Sequence, residues 1–152
     1  MPRQIAFACD HAAFHVKDTL IKMITSAGED IEVNYLGPTT GDSVDYPDFA
    51  AAVCAKVASG EAEKGILVCG TGVGMSMAAN KVNGIRAALC HDHVTTVLTR
   101  QHNNANVLCM GERVSGLEVI QDMIQTFLNT PFSDEARHIR RIEKVTALEK
   151  QE

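Results

Sequence analysis

Residues 65–81 read GILVCGTGVGMSMAANK. The run Ile66-Leu67-Val68 is short, apolar and bounded by turn formers, the pattern of a fully buried strand. It ends in Cys69, and three glycines follow at alternate positions, Gly70, Gly72 and Gly74. A small-residue pattern over 73–82 then reads as a helix. A buried strand thus delivers one thiol to a glycine-rich turn at a helix start. Glycines permit close approach there, and the backbone N–H groups of such a turn attract negative charge. The turn is not a P-loop, because no Gly-Lys-Ser/Thr ending follows. It is not a dinucleotide fingerprint either, because Met75 stands where the third glycine of GxGxxG belongs. Packing alone explains a glycine in a tight turn; three in five residues, with Thr71 among them, favour an anion cradle. A strand end facing a helix N-terminus is also a setting that activates and exposes a thiol, which singles out Cys69.

Outward from this unit, strand and helix alternate. Residues 5–8 read as a strand and 12–27 as a helix closed by Gly28, with Phe14, Val16, Leu20, Ile21, Met23 and Ile24 on one apolar face. Residues 31–36 form a second strand and 37–46 a turn-rich loop. Pro47 opens a helix that runs to Ser59. Strands at 85–90 and 107–110 follow the one at 65–69, with helices at 93–100 and 117–128. This order predicts right-handed βαβ units in one domain over 1–152: a three-layer α/β/α fold around a five-stranded parallel sheet. Ligands of such folds bind beyond the carboxyl ends of the strands, at a topological switch point. Asp10 and His11 after the first strand, Cys69 and its glycines after the third, and His102 to Asn104 before the fifth are expected there. Thr130-Pro131-Phe132-Ser133 then breaks the chain. The final charged helix, about 134–149, has only a narrow stripe of Ile139, Ile142, Val145 and Leu148. A helix this weakly amphipathic needs a surface to lie on, in its own domain or in a second subunit.

Composition narrows the function classes. Apolar residues make up 45% and charged residues 22%, a globular balance, and with 5% aromatics and no Trp the core must be aliphatic. The net charge of −5 argues against a nucleic-acid binder. No apolar run is long enough to span a bilayer. Met1-Pro2-Arg3 does not open a signal peptide, and Lys150-Gln151-Glu152 is no retention signal. Cysteines at 9, 54, 69, 90 and 109, odd in number and without CxxC, read as reduced thiols of a cytoplasmic protein.

Four further groups carry chemistry. Asp10-His11 reads as a helix cap beside an exposed histidine, or as a pair that orients a hydroxyl and a phosphate. The run 100–106, RQHNNAN, suits a helix end and turn, yet three Asn and a His in one loop lean towards function. Arg137 and Arg141 share a helix face, which is a solvated surface or a bidentate phosphate clamp that Arg113 could join. Cys90-His91-Asp92-His93 lacks a fourth ligand at zinc spacing and reads as a strand end and helix start, so no metal is expected.

Together these residues resemble the B-type ribose-5-phosphate isomerases, in the family that includes galactose-6-phosphate isomerase subunits. The resemblance runs nearly end to end: Cys9-Asp10-His11, Asp45-Tyr46-Pro47, CGTGVG at 69–74 with AANK behind it, RQHN at 100–103, NVL, GER and an Arg-rich last helix. It implies a cofactor-free aldose–ketose isomerase on a flavodoxin-like sheet, and a homodimer or tetramer with sites between subunits. Carried over by position, Cys69 is the base that moves a proton between C1 and C2, with Thr71 beside it. Gly70, Gly72, Val73 and Gly74 cradle the enediolate. His102 helps open the sugar ring with Asp10 or Asp45, near Tyr46. His11, Arg113, Arg137 and Arg141 hold the phosphate, and Asn103 a hydroxyl. Some relatives carry a Glu just beyond the glycine loop as the base; here Met75-Ser76-Met77 offers no acid. Ala13 stands where many relatives have Gly. The implied partner is a sugar phosphate, with no nucleic acid and no membrane. A six-carbon sugar phosphate is the alternative substrate, and a non-catalytic phosphate or nucleotide sensor is the rival from another class.

Overall fold

The computed structural model of the chain describes residues 1–150. Positions 151 and 152, the end of the expected domain and of its C-terminal segment, lie outside the described residues. Strands β1 (Arg3–Cys9), β2 (Ile31–Tyr35), β3 (Lys64–Cys69), β4 (Ala87–Leu89) and β5 (Val107–Gly111) form one parallel sheet. Helices α1 (Lys17–Thr25), α2 (Tyr46–Ala58), α3 (Val73–Ala79), α4 (His93–Asn103), α5 (Leu117–Asn129) and α6 (Ala136–Thr146) complete the chain.

Successive strand residues point to opposite faces of a sheet, and here both faces are buried. Ile5, Phe7, Ile66, Val68, Leu108 and Met110 pack on α1 and α5 through Leu20, Ile24, Ile120, Met123, Ile124 and Phe127. The alternate set, Ala6, Ala8, Leu67, Cys69, Val107 and Cys109, packs on α2 and α3 through Ala50, Val53, Cys54, Met75 and Ala79. The expected three-layer α/β/α sandwich is therefore present. Cys69 belongs to the α2/α3 face, which puts its sulfur under the start of α3.

The strand order is β2-β1-β3-β5-β4. A flavodoxin-type sheet runs 2-1-3-4-5, so the last two strands are exchanged relative to the expected type. Burial accounts for the exchange. Every residue of β5 is buried, which suits an inner strand, while all three residues of β4 are half-exposed, which suits an edge. The exchange sets Gly111 beside Cys69 in the ladder and brings Glu112 and Arg113 over the glycine turn.

Four elements are shorter than the sequence predicts by three residues or more, two of them being α3, which ends at Ala79, and α6, which spans Ala136–Thr146. The helix expected from 12 starts only at Lys17, after a 3-10 turn at Phe14–Val16. The Asp10 carboxylate accepts from the Ala12 N–H at 2.9 Å, and the Asp10 carbonyl accepts from Ala13 N–H, so a tight turn occupies those positions. The strand expected over 85–90 shrinks to β4 because asparagines take over its entry. Asn106 Oδ1 accepts from Arg86 N–H, and Asn80 Oδ1 from Ala87 N–H, both at 2.8 Å. Asp92 caps α4 by accepting from Thr95 N–H at 2.7 Å.

Candidate active site

The carboxyl ends of β1 and β3 flank the switch point, because the chain steps from β1 outward to β2 and returns to β3 on the other side. Asp10 and His11 follow β1; Cys69 ends β3. Cys69 is only 5% exposed, which corrects the expectation of an exposed thiol. The cause is its inward face on the strand and the turn folded over it: the Gly72 N–H donates to Cys69 Sγ at 3.1 Å. An N–H aimed at sulfur complements negative charge there. Burial pushes the Cys54 thiol up to about 12 and Cys109 well above its ordinary value, and it raises Cys9 and Cys90.

Gly72 takes a left-handed φ of 79°, where a side chain would be strained. Thr71 Oγ1 accepts from Val73 N–H at 3.2 Å, leaving its own hydroxyl hydrogen to donate outward. The N–H groups of Gly74 and Met75 open α3 and have no acceptor within the helix. The loop rests directly on β5: a Cβ at Gly111 would come within 2.5 Å of the Thr71 carbonyl carbon. Backbone fills that space, so Gly111→Ala must push the loop off the sheet. We expect this variant to keep its far-ultraviolet circular dichroism while kcat falls by about 10²-fold, as an ångström-scale misplacement of the cradle would cause. Sequence reading passed over Gly111, although a glycine ending an otherwise apolar strand was its available signal.

The rim supplies polar groups. His11 Nδ1 accepts from Val44 N–H at 3.2 Å, so in the neutral ring the proton sits on Nε2, free to donate. Arg113 lies alongside Gly70: its N–H donates to the Gly70 carbonyl at 3.0 Å, and a Cβ on Gly70 would stand 3.4 Å from Arg113 Nη1. Asp45 precedes α2 but makes no capping bond, which leaves its carboxylate uncommitted to the helix. The Tyr46 ring leans over Gly74, whose added Cβ would fall 2.6 Å from Tyr46 Cε1. Asp10, His11, Asp45, Tyr46, Cys69 to Gly74 and Arg113 thus surround one end of the sheet.

His102 and Asn103 are not among them, which corrects the expectation for 102–104. A helix between parallel strands runs back along them, so the end of α4 lies at the amino end of β5. Four residues of strand, about 13 Å at ~3.3 Å each, separate that end from the Gly111 level. There His102, Asn103, His138 and Arg141 line a cleft of about 800 Å³ between α6 and the edge near β4. Arg137 pairs with Glu135 at 3.0 Å. Most of the RQHNNAN run proves structural. Arg100 is buried and donates to the Thr130, Ala105 and Asn104 oxygens. Asn104 ends α4 in the left-handed region, and Asn106 holds Arg86 and Gly84. Only His102 and Asn103 of the run face the cleft.

Among the described residues no helix is long and apolar enough to cross a membrane. The model of the ribose/galactose isomerase family matches residues 5–145. A solved type B ribose 5-phosphate isomerase from Leishmania infantum is similar over 97% of each chain, at 55% identity and a TM-score of 0.94. Ribose-5-phosphate isomerase B of Mycoplasma genitalium, solved with bound ribulose-5-phosphate, is 40% identical with a TM-score of 0.89, over 97% of this chain and 96% of that one. Ribose-5-phosphate isomerase B of Escherichia coli K12 is 42% identical over 147 residues, 97% of both chains. On its sequence and its sheet alike, the chain belongs to the ribose/galactose isomerase family.

Proposed function

We propose that this chain interconverts D-ribose 5-phosphate and D-ribulose 5-phosphate, with Cys69 as the base. The observation that carries the reading is the sulfur at the end of β3, hydrogen-bonded to Gly72 N–H and adjoining amides with no intrahelical partner. Proton abstraction beside a carbonyl needs a base and a fixed site for the oxyanion that develops. The Cys69 thiolate removes the C2 proton of the open-chain aldose. The C–H electrons form the C1–C2 double bond, and the carbonyl electrons move to O1. Amides of the 70–74 loop and the Thr71 hydroxyl stabilise this enediolate. The proton returns to C1 while the O2 hydroxyl proton passes to O1, which leaves the C2 ketone.

Before that step the furanose must open. One group takes the O1 hydroxyl proton, another protonates O4, and the C1–O4 bond breaks. We assign His102 to this step, with Asp10 or Asp45 across the site. His102 is on the far side of its own chain from Cys69, so the reading requires two copies. A two-fold homodimer satisfies it, one subunit giving Cys69, the glycine loop, Asp10, His11, Asp45, Tyr46 and Arg113, the other His102, Asn103, Arg137 and Arg141. Exposed Ile139 and Val145 on α6, with Leu148 beyond it, support a partner-contacting segment over about 131–152. A tetramer of two such dimers fits equally.

The substrate phosphate is bound unchanged through the reaction, by His11 Nε2–H and the three arginines. We therefore expect Arg137→Ala and Arg141→Ala to raise KM about tenfold each with kcat little changed. Steady-state kinetics check this, and a collapse of kcat at unchanged KM would contradict the phosphate role. The substrate is tested by assaying ribose 5-phosphate and allose 6-phosphate side by side. Preference for the six-carbon sugar would replace the pentose reading, and no turnover of either would remove the isomerase reading.

A further inference from the structure

His138 has no part in the chemistry above, yet it is the buried polar residue of α6. It is 5% exposed, and its Nε2 is a buried side-chain atom without a hydrogen-bond partner among the described residues. The nearest carboxylate oxygen, on Glu135, stands 3.9 Å away, beyond hydrogen-bond reach. An unpaired buried nitrogen is costly, so a hydrogen bond does not explain why the ring is held there. A ring contact does. The imidazoles of His138 and His102 are stacked, centroids 4.3 Å apart and planes 14° from parallel. The contact joins α6 to the last turn of α4. Burial, then His102, Arg137 and Arg141, push His138 below its ordinary pKa against the opposing pull of Glu135, which disfavours a charged ring in the stack.

We infer that His138 is a positioning residue for His102: a flat ring, stacked on the ring-opening imidazole, that fixes its plane and touches no substrate itself. This rests on the isomerase reading of His102. An imidazole at a helix end rotates about two side-chain torsions, and proton transfer to O4 requires one orientation. The stack supplies that constraint from a second helix. Because Nε2 has no partner, an apolar ring should serve as the plate.

The two directions of the reaction separate this role from others. Ribose 5-phosphate is cyclic and must be opened. Ribulose 5-phosphate is open-chain, because the oxygen that would close its ring, O5, carries the phosphate. Initial rates are measured in both directions for wild type, His138→Ala and His138→Phe. At saturating substrate, His138→Ala should lower kcat for ribose 5-phosphate about tenfold or more, while kcat for ribulose 5-phosphate stays within about twofold of wild type, because the open-chain aldose formed from it can leave before its ring closes. His138→Phe should restore most of the loss. Equal losses of kcat in both directions, no loss in His138→Ala, or a His138→Phe no better than His138→Ala would each overturn the inference. The last pattern with a raised KM would make His138 a substrate contact instead. A wild type inactive on both sugars would remove the isomerase reading itself, and this inference with it.

Discussion

Cys69→Ala is expected to lose roughly 10²–10⁴-fold in kcat, or all measurable turnover, while an unreactive sugar phosphate such as ribitol 5-phosphate binds as before. The split follows from what the side chain touches. Sγ adjoins the glycine loop and holds the Gly72 N–H, so its loss removes the base and one anchor of the loop. The proposed phosphate groups, His11 and the arginines, remain. No other cysteine can stand in, since burial raises the pKa of the remaining four and none shares the loop. No acid can either, because Met75-Ser76-Met77 occupies the stretch just beyond the loop. Kinetics alongside calorimetric binding check the prediction. Retained turnover would remove Cys69 as the base; lost binding would make its role structural.

On the proposed reading the two anions of the reaction have separate sites. The phosphate is permanent and needs lasting charge, which the arginines and the donating edge of His11 offer. The enediolate exists only briefly and needs dipoles already in place. The amides at the start of α3 are such dipoles, fixed by Gly72 and by the seat on Gly111.

Much of this was legible in the chain. The apolar runs ending in Asp10 and Cys69 gave strands because their neighbours on both sides are apolar, and the carboxyl-end rule then put both residues at one crevice. The exchange of β4 and β5 was less visible. It follows from the half-exposed, three-residue β4 against the fully buried β5, a contrast that pattern alone blurs because Ala87–Leu89 is itself apolar. The placement of 102–104 differs from the expectation for another reason. Polar clustering there reads as function, but Arg100 donates to the Thr130 and Ala105 carbonyls, Asn104 ends α4, and Asn106 accepts from Arg86 N–H and donates to the Gly84 carbonyl, demands that become visible only once neighbouring segments are in place. Gly111 and His138 were missed because each acts through a contact with a segment distant in sequence, Thr71 for one and His102 for the other.

The motif residues divide between the two ends of one sheet, so the proposed site is built from two copies of the chain. Cys69→Ala and His102→Ala each disable both sites of their own dimer. A mixed dimer has one doubly altered site and one site with native Cys69 from one subunit and native His102 from the other. Random reassociation makes about half of the dimers mixed, so mixing the two variants in equal amounts should restore about a quarter of wild-type turnover. The measurement is the isomerase rate of the co-refolded mixture against each variant alone. Recovery to about that level is the predicted result; a rate no higher than the mean of the two variants would contradict a site shared between subunits.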